Sequence, residues 1–206
     1  MLRIRLRFSK NGALRFIGHL DFLRVFQQTV RRAGLPAAFS HGFNPHLQLS
    51  FALPLPLGMS SFNDYADLIL EKEVKCDEIA AKLNAHAPDG LVVKAAYPVE
   101  TKAASIVTLA DYALTYNANV NEAVQKLLNS PEIIISKKTK SGIKDTNIRP
   151  DIFDIKQTSD AVLMRLSAGS ARFLHPMTVS ELILGEKPNP SLLNRLEMYQ
   201  SEGQTL

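Results

Sequence analysis

The chain has 206 residues, 46% hydrophobic and 21% charged, with a formal net charge of +4 at pH 7 and one cysteine. That length and apolar content suit one large or two small globular domains with an ordinary buried core. A single cysteine, Cys76, excludes an internal disulfide, an iron-sulfur cluster held by this chain's thiolates alone and a Cys-rich zinc site. No window approaches the ~18 consecutive apolar residues of a membrane span. The expectation is a cytoplasmic protein with no membrane association and no cofactor or metal of its own.

The first predicted element is a strand over residues 2–8, where apolar side chains alternate with Arg3, Arg5 and Arg7. Period-two alternation means one buried and one wet face, and the wet face here is cationic. After a turn at Asn11 and Gly12, residues 17–33 switch to helical spacing. Leu20, Leu23, Phe26 and Val30 form the apolar stripe, with Asp21, Arg24, Gln28 and Arg31 opposite. Gly34 ends that helix. Extended pieces at 37–40 and 47–53 flank a loop and read as one long bent strand, and Pro54 and Pro56 then break regular structure. A strand at 65–71, a helix at 77–86 and a strand at 91–99 complete a β-α-β-β-α-β order.

The order then repeats. A strand at 107–116, a helix at 120–128, a strand at 133–136, a hairpin from 149–157 and 161–167, a helix at 179–184 and a closing strand at 195–199 are expected. Two such passes predict an α+β protein made of two ferredoxin-like units in tandem, residues 1–102 and 103–206. The segment 137–144 reads as a basic, glycine-containing loop.

Charge points to function. Residues 1–60 carry Arg3, Arg5, Arg7, Lys10, Arg15, Arg24, Arg31 and Arg32 against one acid, Asp21, while the remainder is mildly acidic. Solvated faces normally mix signs, so an uncompensated field implies an anionic partner. Arginines ~7 Å apart on one strand face suit a phosphate backbone; the alternative is an edge strand guarded by charge. The loop Ser40-His41-Gly42-Phe43-Asn44-Pro45-His46 holds two imidazoles on a tight turn, suited to binding phosphate, stacking on a base or moving a proton. Phe39 and Phe43 offer a stacking face or core packing. His19, beside Asp21 at a helix start, is unexplained by helix propensity. Arg149 before Pro150 and His175 before Pro176 are further loop candidates.

The stretch from Phe8 to Gly58, F-S-K-N-G-A-L-R-F-I-G-H-L-D through R-R-A-G-L-P, S-H-G-F-N-P-H and P-L-P-L-G, resembles a bacterial family of unknown function whose members are fused to, or encoded beside, radical SAM proteins. Gly18 stands where many relatives have serine, and His41 where an acid is frequent. The likeness implies a partner that carries the iron-sulfur cluster. Charge and resemblance together give an accessory protein that binds structured RNA, tRNA or rRNA, and presents it to that partner. The anion-binding set is Arg3, Arg5, Arg7, Lys10, Arg15, His19, Arg24, Arg31, His41, Asn44 and His46. The alternatives are a metal-independent endoribonuclease using His41 and His46, and a scaffold that binds protein alone.

Overall fold

The computed structural model describes residues 1–116, 118–139, 142–200 and 204–206, with side chains 137–139 left aside. The fold is α+β. Strand β1 (Leu2–Lys10) leads through a 3-10 turn into helix α1 (His19–Arg32). Short β2 (Leu49–Phe51), long β3 (Ser60–Leu70), α2 (Cys76–His86) and β4 (Leu91–Pro98) follow. A one-turn helix α3 (Ala103–Ile106) precedes β5 (Leu109–Thr115) and α4 (Asn121–Asn129). The remaining elements are β6 (Ile134–Thr139), β7 (Gly142–Asn147), β8 (Ile152–Gln157), β9 (Ala161–Ser167), α5 (Pro176–Leu184) and β10 (Leu193–Tyr199).

Eight strands form one sheet in the order β4-β1-β3-β10-β5-β9-β8, with β2 paired to β3. Strand β1 lies antiparallel to β3 and β4, and β5 lies antiparallel to β9 and β10. The two sets are welded by a short parallel pairing, Asn194 opposite Ser60 and Arg195 opposite Ser61. Element order alone does not disclose this weld, which makes the sheet continuous. The segment 137–144 is not a plain loop: β6 and β7 pair antiparallel as a separate two-stranded ribbon, and Lys140 and Ser141 lie outside the described residues.

One core lies between β1 and β3 and helices α1 and α2. Ile4, Leu6 and Phe8 meet Phe22, Phe26, Val30, Ile79 and Leu83 there. Phe8, Phe22, Phe26 and Phe51 form an aromatic cluster with ring centroids 5.2 to 6.1 Å apart. The apolar face of α1 is therefore set by Phe22 rather than Leu20, which is exposed. Aromatic area outweighs the leucine in choosing which side turns inward. A second core gathers Tyr112, Leu114, Val162 and Met164 under Val124 of α4 and Val179 and Ile183 of α5, and reaches back to Ala52, Leu55, Met59 and Tyr65.

Candidate functional site

The arginine face of β1 is only partly open: Arg5 is buried, which corrects the expectation for that residue, while the Arg3 and Arg7 side chains are half-buried and ion-paired. Arg5 is 3% exposed; its Nε donates to Asp67 Oδ1 at 2.9 Å and its Nη2 to the Thr101 carbonyl at 2.6 Å. The same carboxylate accepts the Ala103 amide at 2.7 Å and has Arg3 at 3.9 Å. Arg7 Nη2 donates to Glu197 Oε2 at 3.0 Å, an acid supplied by the last strand. Asn63 and the Tyr65 hydroxyl donate to that same acid, at 3.1 and 2.6 Å. Burial and then the bond to Glu197 push the Tyr65 phenol well above its ordinary pKa. Desolvating a guanidinium is costly unless a carboxylate meets it, so these arginines are ordered by partners from distant parts of the chain.

Lys10 and Arg15 are spent in the same way. Lys10 is 1% exposed, donates to the Ile17 carbonyl at 3.2 Å and sits 4.6 Å from the Phe22 ring centroid. Burial lowers its pKa, opposed by Asp64 nearby. Asp64 accepts from Arg195 Nη2 at 2.7 Å, and Arg195, 1% exposed, also donates to the Leu53 carbonyl at 3.0 Å. Arg15 donates to the Gly58 carbonyl at 2.9 Å and to that of Ser191, pinning residues 53–58 to the C-terminal part of the chain. Arg149 closes the end of α4 by donating to the Leu128 carbonyl at 3.0 Å, and it also donates to the Ile152 carbonyl at 2.9 Å.

Of the cations in residues 1–60, the exposed ones are Arg24, Arg31 and Arg32 on α1, with Arg24 bonded to Asp21 at 2.9 Å. Arg31 lies 5.8 Å from the Phe39 ring centroid, tying the end of α1 to the loop. In the loop, His41, Phe43, Asn44 and His46 are all exposed, and Gly42 takes φ +124°. Its neck is closed by Ser40, whose amide donates to the His46 carbonyl at 2.7 Å and whose Oγ accepts from the His46 amide at 2.9 Å. No hydrogen bond fixes the Asn44 side chain among the described residues. Beneath the loop a cavity of about 400 Å³ is lined by Arg3, Ser40, His46, Gln48, Asp67 and Lys102. Because Arg5 and the Ala103 amide already neutralise Asp67, that cavity is electropositive. Lys102 escaped the sequence reading; its one signal was a basic residue at the expected junction.

His19 stands elsewhere, at the opposite end of α1 from the loop. Its ring centroid is 5.5 Å from that of Phe51, and it lines a groove with His175. The groove lies where the two cores adjoin, floored by residues 53–57 and flanked by Gly18 and Phe173. His175 caps α5: its Nδ1 accepts the Met177 amide at 3.2 Å, and burial lowers its pKa. His41 and His46 have no carboxylate hydrogen-bond or ion-pair partner among the described residues. No cluster of three His, Cys, Asp or Glu side chains forms among the described residues.

With the geometry in place, the chain can be set beside known proteins. A family model described as an uncharacterized protein conserved in bacteria, DUF2344, matches residues 3–176. The chain belongs to the DUF2344 family. No curated protein matches it. The matched span takes in the loop, α1 and the His19 groove of this DUF2344 protein, together with the ion pairs on Asp67, whereas Arg195, the partner of Asp64, lies beyond it. Among its described residues no helix is long and apolar enough to cross a membrane.

Proposed function

We propose that this DUF2344 protein is an RNA-binding accessory module that holds a structured RNA, a tRNA or rRNA element, along α1 and the 40–46 loop and presents it to a radical SAM partner. The observation that carries the reading is what remains once internal pairing is subtracted. Arg31 and Arg32 at the end of α1 stand beside an exposed loop with a fully exposed aromatic, Phe43, and two imidazoles. Guanidinium groups next to unpaired rings are the usual means of holding RNA phosphates and splayed bases. The electropositive cavity with Arg3 and Lys102 adjoins this rim and extends it. The RNA face is thus smaller than the sequence suggests, without Arg5, Arg7, Lys10 and Arg15.

The partner rests on the likeness of residues 8–58 to proteins associated with radical SAM enzymes; this chain's single cysteine leaves the cluster to that partner. The scaffold is read as two ferredoxin-like units, 1–102 and 103–206. Supporting this, strands β4-β1-β3-β2 and β10-β5-β9-β8 repeat one order and one antiparallel sense.

Titration of fluorescent tRNA and rRNA fragments across a salt series tests the reading. Affinity is expected to fall steeply with salt, and Arg31→Ala with Arg32→Ala to reduce the log-log slope by about 0.7–0.9 for each phosphate that is no longer neutralised. Affinity indifferent to salt, or a wild-type slope in the double variant, would remove the RNA assignment. A pull-down of the partner that survives nuclease treatment unchanged would favour a protein-only scaffold.

A further inference from the structure

We propose that the groove shared by His19 and His175 binds an unpaired nucleobase, held at its edge by the two imidazoles over an apolar floor. That the base belongs to an RNA rests on the function proposed above. The groove offers about 550 Å³ at the junction of the two cores, within the range of small-molecule sites and in the kind of place where they occur.

Its lining selects the ligand. Residues 53–57 give an uninterrupted apolar floor, Phe173 adds a ring, and no charged side chain among the described residues lines it. Lys10 and Asp64 reach only an adjoining space behind His19 of about 10 Å³, room for little more than one water. A phosphate or carboxylate in the groove would give up part of its hydration against an apolar floor with no counter-charge on the lining, which is unfavourable. A planar heterocycle meets no such penalty. Its faces match the leucines, prolines and Phe173, and its edge alternates donors and acceptors as a neutral imidazole does.

The two histidines are set up for this. In His175, Nδ1 is occupied by the Met177 amide, so the neutral ring carries its proton on Nε2 and has that donor left for a ligand. Burial, by lowering its pKa, favours this neutral form near pH 7. Neither nitrogen of His19 is hydrogen-bonded among the described residues, and Phe51 fixes the ring's tilt at 68°. His19 therefore serves as donor or acceptor. Helix α1 runs 14 residues from the groove to the cationic rim, ~20 Å at 1.5 Å per residue. A strand lying over exposed Arg24 and Gln28 reaches both.

The imidazole region of the proton-nitrogen NMR spectrum of the full chain reports five histidines. Adenosine, guanosine, cytidine and uridine are added in turn. At least one is expected to shift His19 and His175 while leaving His41, His46 and His86 in place. Leu57→Trp, at a position 59% exposed, fills the groove from outside the cores and is expected to abolish the shift; His19→Ala is an independent check on the His175 signal. Leu57→Trp is also expected to weaken single-stranded RNA binding about fivefold or more, the lower end for one stacked base. Histidine signals that ignore all four nucleosides, or that move equally in Leu57→Trp, overturn the base site. RNA that binds wild type and Leu57→Trp alike does so too, while leaving the RNA reading of α1 standing. Nucleosides that shift the two histidines when no RNA binds uphold the groove and remove RNA as the source of the base.

Discussion

Replacing Arg5 by alanine separates an internal role for the β1 arginines from a ligand-binding one. The change removes a 2.9 Å bond to Asp67 and a 2.6 Å bond to the Thr101 carbonyl. Asp67, 1% exposed, is left with the Ala103 amide and with Arg3 at 3.9 Å. Breaking a buried ion pair from one side costs about 3–5 kcal/mol; Arg3 supplies part of the missing charge, so the lower end, about 3 kcal/mol, is expected. For a chain of this size that is a fall in Tm of roughly 6–12 °C. Urea unfolding followed by circular dichroism should show a lower midpoint with an unchanged slope, and any loss of RNA affinity in the folded variant should be smaller than that of Arg31→Ala, because only the cavity beside the rim loses positive potential. Arg31→Ala should do the reverse, altering salt-dependent RNA affinity and leaving the midpoint within about 0.5 kcal/mol of wild type. If Arg5→Ala kept the wild-type midpoint and lost RNA affinity, Arg5 would touch the ligand directly and the internal account of the β1 face would be wrong.

Asp64→Asn strands Arg195 and Lys10, both about 1% exposed, without their common counter-charge. A loss of about 3–5 kcal/mol is expected, partly recovered when Arg195→Met is added, as a double-mutant cycle by urea unfolding would show. Gly90 has φ +92°, and an added Cβ would lie 2.4 Å from the Asn11 carbonyl oxygen. Gly90→Ala should therefore cost more than about 1 kcal/mol in a thermal melt. Burial lowers the His175 pKa, so the unfolded chain binds that proton more readily and stability drops as pH falls through ~6.5. His175→Asn keeps an N-cap side chain for α5 but does not titrate. The stability of wild type relative to this variant should decline from neutral to acid pH, and a difference independent of pH would show that His175 is not held neutral by the fold.

Much of the scaffold is visible in local pattern. Alternation in residues 2–8, the turn of periodicity before α1 and the proline-rich stop at 54–58 each follow from backbone geometry and appear where expected. The fate of the arginines does not. Arg5 meets an acid 62 residues away and Arg7 one 190 residues away, and no nearest-neighbour pattern encodes such pairs. Their local trace is Asp67 between the apolar residues Ala66 and Leu68 of β3, where a buried carboxylate requires a cation. A run of like charge on the face opposite a strand's apolar side signals a solvated surface only if no other segment returns to it, and here Thr101 and Ala103 return to Arg5 and Asp67, and Glu197 to Arg7. Likewise His19 and His175 each stand out in the sequence, but nothing local in the chain discloses that they line one groove.

That weld also governs the order in which the molecule is completed. Strand β10 lies in the middle of the sheet, between β3 and β5, yet is the last strand described. During synthesis the N-terminal strands emerge while Asp64 still lacks Arg195 and Arg7 still lacks Glu197, so half the sheet waits with unmatched charge and an open flank. Pairing across so long a stretch of chain is intrinsically slow. The nascent protein is thus most exposed to premature association until β10 slots between β3 and β5, and a chain truncated before residue 193 is expected to aggregate rather than persist as a working half.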